Sequence, residues 1–324
     1  MPNHDSDRSP DVSESSAVSR RALLAGAAGL AASVGLGRSA RAAGAASQPT
    51  TPDEEPAAGA DYKIVVSNGR LNQSVVWWCF QKSLSIEALA AAAARMGLKS
   101  VELAGPELWP VIKKHGLICA ISPSHPFTKG FAHKEEHEQC LAALRKSIDA
   151  TSDAGFPSVI TFSGMRRGIS DGEGVANMIA GLKQIAGYAE QKKVTVCLEM
   201  LNSRVNVEMK GHPDYFCDQI ERSIEVVRGV GSPRVKLLYD IYHVQIMEGD
   251  VISRIRQFKE YIGHYHTAGV PGRNELDNSQ EINYPPIMEA IVATGYKGYV
   301  GQEFIPAHAS ALAGLAEAVR RCDV

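Results

Sequence analysis

The sequence predicts an α/β fold, a (β/α)8 TIM barrel, and three observations carry that expectation. Short β-branched or aromatic runs alternate with helix-length segments from about Tyr62 onward. In the last third of the chain, four successive runs close on an acidic residue or a histidine, as parallel strands feeding one catalytic face do. No phosphate-binding glycine turn follows the first run, which an open doubly wound sheet would want.

The strand candidates in order are SVVWWCF around Val76, SVELAG around Glu102, LICAISPS around Ala120 and SVITFSG around Ile160. VTVCLEM with Glu199, VKLLYDIYH with Asp240 and His243, IGHYH with His266, and YVGQEF with Glu303 complete the eight. Helical patterns fill the intervals: Ile86 to Met96, Pro106 to Lys114, Glu135 to Ala154, Gly174 to Lys192, Pro213 to Val230, Val251 to Tyr261 and Pro285 to Thr294. A closing helix runs from His308 to Arg321. Gly97, Gly116, Gly155, Gly231 and Gly295 sit where these helices need a left-handed cap. Eight strand–helix pairs close most naturally into a barrel whose active site lies at the carboxyl ends of the strands.

The first sixty residues read differently. Ser19, Arg20 and Arg21 precede an apolar Ala/Gly/Leu-rich stretch from Ala22 to Leu36, and Ala40-Arg41-Ala42 offers a cleavage site of small residues. Residues 1–42 are therefore expected to be a twin-arginine signal peptide that directs the protein to the periplasm or outside. The apolar run is too short and too rich in glycine and alanine for a stable membrane anchor. Residues 43–61, rich in Pro, Thr, Ser, Asp and Glu, read as a disordered linker, which leaves 62–324 for the barrel domain. Because that route carries folded proteins, it suits a metal loaded before secretion.

With 324 residues, 44 % of them hydrophobic, the chain is long enough for one large barrel. Its formal charge of −2 is too near neutral for a nucleic-acid surface, so a small molecule is the expected partner. Six cysteines show no CxxC pair; export leaves room for disulfides, but Cys79, Cys119 and Cys197 fall inside strand-like runs and read as small buried hydrophobes. Trp77, Trp78 and the segment Phe127 to Phe131 read as core packing, as an apolar lid or as the contact of a homo-oligomer.

The chemistry gathers on the last four runs. Glu199 alternates with Val194, Val196 and Leu198, so it faces away from them and into the barrel, where a carboxylate is costly unless paired or bound to metal. Glu303 holds the equivalent place on the last strand, across the barrel, an arrangement that suits proton transfer from two sides. Asp240 and His243 form D-x-x-H at the rim, and His264 and His266 share one strand face, the deeper His264 packed and His266 reaching the centre. Three carboxylates and one imidazole suit a divalent ion such as manganese, magnesium or cobalt.

The motifs LEMLNSR, LLYDIYHVQIMEGD, GHYH, PGRNELD, EINYP and GYVGQEF, in this order, resemble the hydroxypyruvate isomerase group within the xylose-isomerase-like barrel superfamily of sugar isomerases and epimerases. The resemblance implies that Glu199, Asp240, His266 and Glu303 hold the ion and that Glu199 and Glu303 form the acid/base pair. It also implies substrate contacts from His243 and Arg273, with His125, Asn202 and Arg204 as further pocket residues. Hydroxypyruvate isomerases often carry glutamine at the His266 position, where ketose epimerases carry histidine; the epimerases' extra pocket glutamate is replaced here by Val205 or Asn206.

The implied activity is an isomerase for a sugar or hydroxy-keto acid, shuttling a proton through an enediolate. A ketose 3-epimerase or a 3-keto-glycoside lyase would use the same enolate chemistry, and export favours an extracellular sugar as the substrate. A sugar-binding subunit with a degenerate site is disfavoured by the intact ligand set. An abasic-site endonuclease is disfavoured by the missing additional ligands and the missing basic groove.

Overall fold

The structure, a computed structural model, describes residues 64–324; the expected signal peptide (1–42) and linker (43–61) lie outside the described residues. Eight parallel strands follow one another: β1 (Asn72–Val76), β2 (Ser100–Glu102), β3 (Ile121–Ser122), β4 (Ser158–Thr161), β5 (Thr195–Glu199), β6 (Val235–Asp240), β7 (Ile262–Thr267) and β8 (Tyr299–Gln302). Their spatial order is β2-β1-β8-β7-β6-β5-β4-β3, and backbone bonds join the two ends. Val101 donates to the carbonyl of Ile118 (3.1 Å) and Leu103 to that of Ile121 (2.9 Å). The sheet is thus wrapped into the predicted TIM barrel and not left open.

Among the described residues ten helices surround it: α1 (Trp77–Phe80), α2 (Ile86–Met96), α3 (Trp109–Lys114), α4 (His137–Asp153), α5 (Asp171–Lys192), α6 (Ile220–Val230), α7 (Ile241–Met247), α8 (Val251–Phe258), α9 (Tyr284–Ala293) and α10 (Ala311–Arg321). The five glycines read as caps all have positive φ, the conformation glycine adopts without a Cβ penalty. Serines open α2 and α5: Ser85 Oγ accepts from the Ala88 amide (3.2 Å) and Ser170 Oγ from the Glu173 amide (3.3 Å). Strand alternation then divides the core. Ile121, Ile160, Cys197 and Leu238 form an inner cluster, and two larger clusters fill the space between strands and helices.

Several boundaries differ from the sequence reading, and three of the differences have a clear cause. The first strand stops at Val76, and the aromatic WWCF run turns into α1 at the barrel mouth. VKLLYDIYH breaks after Asp240, whose carboxylate accepts from the Tyr242 amide (2.8 Å) and so caps α7. Residues 213–219 stay outside the helix expected from Pro213, because Ile220 begins the strongly one-sided apolar pattern of α6. All six cysteines are buried and unpaired, so the small-hydrophobe reading holds and no disulfide supports the described fold.

Candidate active site

Glu199 and Asp240 are the last residues of β5 and β6, His266 lies near the end of β7, and Glu303 follows β8 directly. Sheet register opposes Asp240 to His266 and His266 to Gly301, and the Glu303 amide extends the ladder to the carbonyl of Thr267 (2.9 Å). One donor atom from each of the four residues lies within 4.8 Å of all the others, and all four residues are buried. His266 Nδ1 stands 2.8 Å from Glu303 Oε2 and 3.6 Å from Glu199 Oε1. Glu199 Oε1 and His266 Nδ1 have no hydrogen-bond partner. Buried, converging carboxylates with orphaned donor atoms fit a divalent cation, and a set of three oxygens and one nitrogen fits an ion that favours oxygen.

The two glutamates are held differently. Glu303 Oε1 accepts from Trp78 Nε1 (3.0 Å) and Oε2 from Arg273 Nη2 (2.7 Å). Burial alone would raise Glu303, but the charges of Arg273 and His266 outweigh it and hold the carboxyl well below its usual range. Burial raises Glu199, helped by the nearby Glu303 charge. Asp240 is pushed up to about 8 by burial and then by Glu303. Burial would lower His266, yet the surrounding carboxylates, Glu303 and Glu102 among them, raise it well above its ordinary value.

Arg273 is not a solvated loop residue. It is 2 % exposed, lies in the left-handed region at φ 56°, and donates through Nη1 to the Met209 carbonyl (2.7 Å). Its guanidinium lies between the rings of Trp78 and Tyr242, at 5.2 and 5.5 Å. A bulky side chain held at positive φ marks a position the surrounding structure enforces; here the tight turn from Gly269 to Asn274 does so, closed by the Gly269 amide on the Asn274 carbonyl (2.8 Å).

His243, on α7, accepts at Nδ1 from the Asn202 backbone amide (3.0 Å). Its proton therefore sits on Nε2, 3.5 Å from Asp240 Oδ2 and without a hydrogen-bond partner. Burial and then the Arg273 charge hold this imidazole neutral. Asn202 does not line the pocket: it grips His243 and, through Nδ2, the Lys210 carbonyl (2.9 Å). His125 does line it, held by Thr161 Oγ1 at 2.9 Å from Nε2. Arg204 is exposed and bonds the Ile246 carbonyl (2.9 Å).

Two of the four donors, Glu199 and Glu303, line a cavity of about 330 Å³, while Asp240 and His266 are buried behind its lining. Trp78, Phe127, Phe162, Leu201 and Met209 supply an apolar wall, and Ser124, His125, His212 and Arg273 add polar groups. Of the aromatic residues with open roles, Trp78 and Phe127 reach this wall while Phe131 is core. Sequence reasoning missed Trp78 as a partner of Glu303 and missed Glu102 beneath His266. Glu102 carries the same signal as the other acids, a carboxylate at a strand's carboxyl end.

The profile of the family described as xylose isomerase-like TIM barrel matches residues 90–322, and the chain belongs to that family. Within it, the protein is a hydroxypyruvate isomerase-like member and an isomerase. A human protein provisionally named hydroxypyruvate isomerase is 28 % identical over 251 residues, covering 71 % of this chain and 87 % of that one. The 2-oxo-tetronate isomerase of Cupriavidus necator is 36 % identical over 140 residues, 43 % of this chain and 51 % of its own. A crystal structure of D-psicose 3-epimerase in the presence of D-fructose superposes with a TM-score of 0.62 at 15 % identity, covering 78 % of this chain and 96 % of that one, a likeness of fold alone.

Proposed function

We propose that the protein is an exported, divalent-metal-dependent isomerase of a sugar or hydroxy-keto acid that moves a proton through an enediolate between Glu199 and Glu303. The observation that carries this reading is the convergence of the four donor atoms within 4.8 Å, two of them belonging to glutamates that line the cavity. Glu199, Asp240, His266 and Glu303 would hold manganese, magnesium or cobalt, which when bound polarises the substrate carbonyl and stabilises the charge that develops on its oxygen. Glu303, kept charged and aimed by Trp78 and Arg273, takes the proton from the carbon beside the carbonyl. Glu199 returns a proton from the opposite side. The guanidinium of Arg273, which lines the cavity, orients a substrate oxygen, and the unpartnered Nε2–H of His243 stands behind it beside Asp240.

A second reading keeps the chemistry and enlarges the substrate. The cavity of about 330 Å³ falls within the range of small-molecule sites, and its aromatic wall offers stacking area that a three-carbon acid would leave unused. That wall favours a ring-sized keto-sugar, hence a ketose 3-epimerase or a 3-keto-glycoside lyase.

Solvent-deuterium incorporation, followed by NMR, tests both. Hydroxypyruvate, ketoses and 3-keto-glycosides are incubated with the manganese-loaded protein. Exchange beside a carbonyl is expected in one of them, and the product separates isomerase, epimerase and lyase; no exchange in any, with metal shown to be bound, would refute the reading. Export rests on Arg20 and Arg21. Replacing both by lysine should retain the protein in the cytoplasm on fractionation, and unchanged export would end that part of the proposal.

A further inference from the structure

Glu102, at the end of β2, lies beneath the candidate site and is fully buried. Its Oε1 is 2.9 Å from His266 Nε2 and 3.0 Å from His264 Nε2, across the barrel interior on β7. A carboxylate oxygen only accepts, so each imidazole presents an N–H to it. The His264 and His266 rings stand perpendicular, with centroids 5.0 Å apart, which lets both reach the same oxygen. Gly301 on β8 provides the room: a Cβ there would run into Glu102 Oε1 and crowd His266 Cδ2 at 2.9 Å. A buried carboxylate, two donors and a glycine from three strands thus meet at one point.

We propose that Glu102 is a positioning residue for the ion: it holds His266 as the Nε2–H tautomer and aims the Nδ1 lone pair into the carboxylate cluster. The role rests on the metal-dependent reading above. Nδ1 is the nitrogen that faces Glu199 and Glu303, so a ring protonated there would present a hydrogen to the ion. A carboxylate behind a ligating imidazole fixes its orientation and increases its basicity. His264 takes the second lone-pair direction of Oε1 and keeps the carboxylate from swinging away from His266.

The test measures manganese binding by electron paramagnetic resonance in metal-stripped wild-type protein and in Glu102→Gln and Gly301→Ala, with the histidine ¹⁵N spectrum read in parallel. Glutamine keeps an acceptor oxygen but removes the charge, and its affinity should fall by about 10- to 100-fold. Gly301→Ala, which displaces the carboxylate, should lose a comparable amount. In the magnesium-loaded wild-type protein, where a bound ion takes the place of the second ring proton, the spectrum should show His266 with its proton on Nε2 alone. A purely structural Glu102 would lower the Tm of the glutamine variant and leave its affinity unchanged, and that result overturns the proposal. If the variants do not fold, the magnesium-loaded wild-type spectrum decides, and a proton on Nδ1 in that state overturns the proposal. Wild-type protein that binds no manganese would instead remove the metal-dependent reading itself, and this role with it.

Discussion

At the scale of single residues, the site depends on how Glu303 is held. An indole N–H and a guanidinium N–H both point at it, and a hydrogen bond to a charged group contributes about 1.5–3 kcal/mol. Trp78→Phe removes the N–H and keeps the ring, so kcat/KM on the substrate found by deuterium exchange should fall by about tenfold or more, with thermal stability nearly unchanged. Glu303→Gln removes the proton acceptor and should reduce kcat by about 10² to 10⁴; full activity in that variant would refute the assignment of Glu303 as the base. The donors Glu199, Asp240, His266 and Glu303 were legible because each closes a strand-like run. Glu102 closes one too, in SVELAG, but its meaning depends on His264, 162 positions later, and no local pattern reports that contact. Trp78 was hidden for a different reason: it sits in a run whose aromatic character reads as strand, while its function comes from the turn that ends the strand.

At the scale of elements, eight alternations predicted eight strands, because period-2 and period-3.6 patterns are local. Boundaries were lost where a side chain outside the periodic pattern set them. Asp240 terminates β6 by capping α7, and no apolar spacing encodes that. The capping serines are visible in sequence and carry measurable weight. Ser170→Ala leaves the Glu173 amide at the start of α5 without its cap, which should cost about 1 kcal/mol in urea unfolding and a few degrees of Tm. No change would mean that solvent satisfies that amide equally well.

At the scale of the whole molecule, pH sets stability through buried neutral histidines. Burial, and next the Arg273 charge, push His212 down to about 4, while an unfolded histidine titrates near 6.5. Between those values the unfolded chain binds the extra proton, so stability rises with pH; the contribution is complete above about 6.5 and is lost as pH falls toward 4. Roughly 3 kcal/mol is at stake, and His125 and His243, also lowered, act with the same sign. In chelator, urea unfolding of His212→Phe between pH 7.5 and 4.5 should show a shallower loss than wild type; parallel curves would exclude His212 as a contributor.

The joint between β2 and β3 has a consequence of another kind. Strands of three and two residues meet there through a few amides, whereas β5, β6 and β7 share long ladders. Leu103 and the segment from Pro123 to Phe127, which line the cavity, lie just past this joint. The wall above the glutamates is therefore attached to the part of the barrel with the fewest backbone bonds, the part expected to open most readily in local fluctuations. Amide hydrogens of Val101, Leu103 and Ile118 should exchange with deuterated water sooner than those of Leu198 and Leu238, and the barrel would then breathe along one side while the opposite side keeps the glutamates in place.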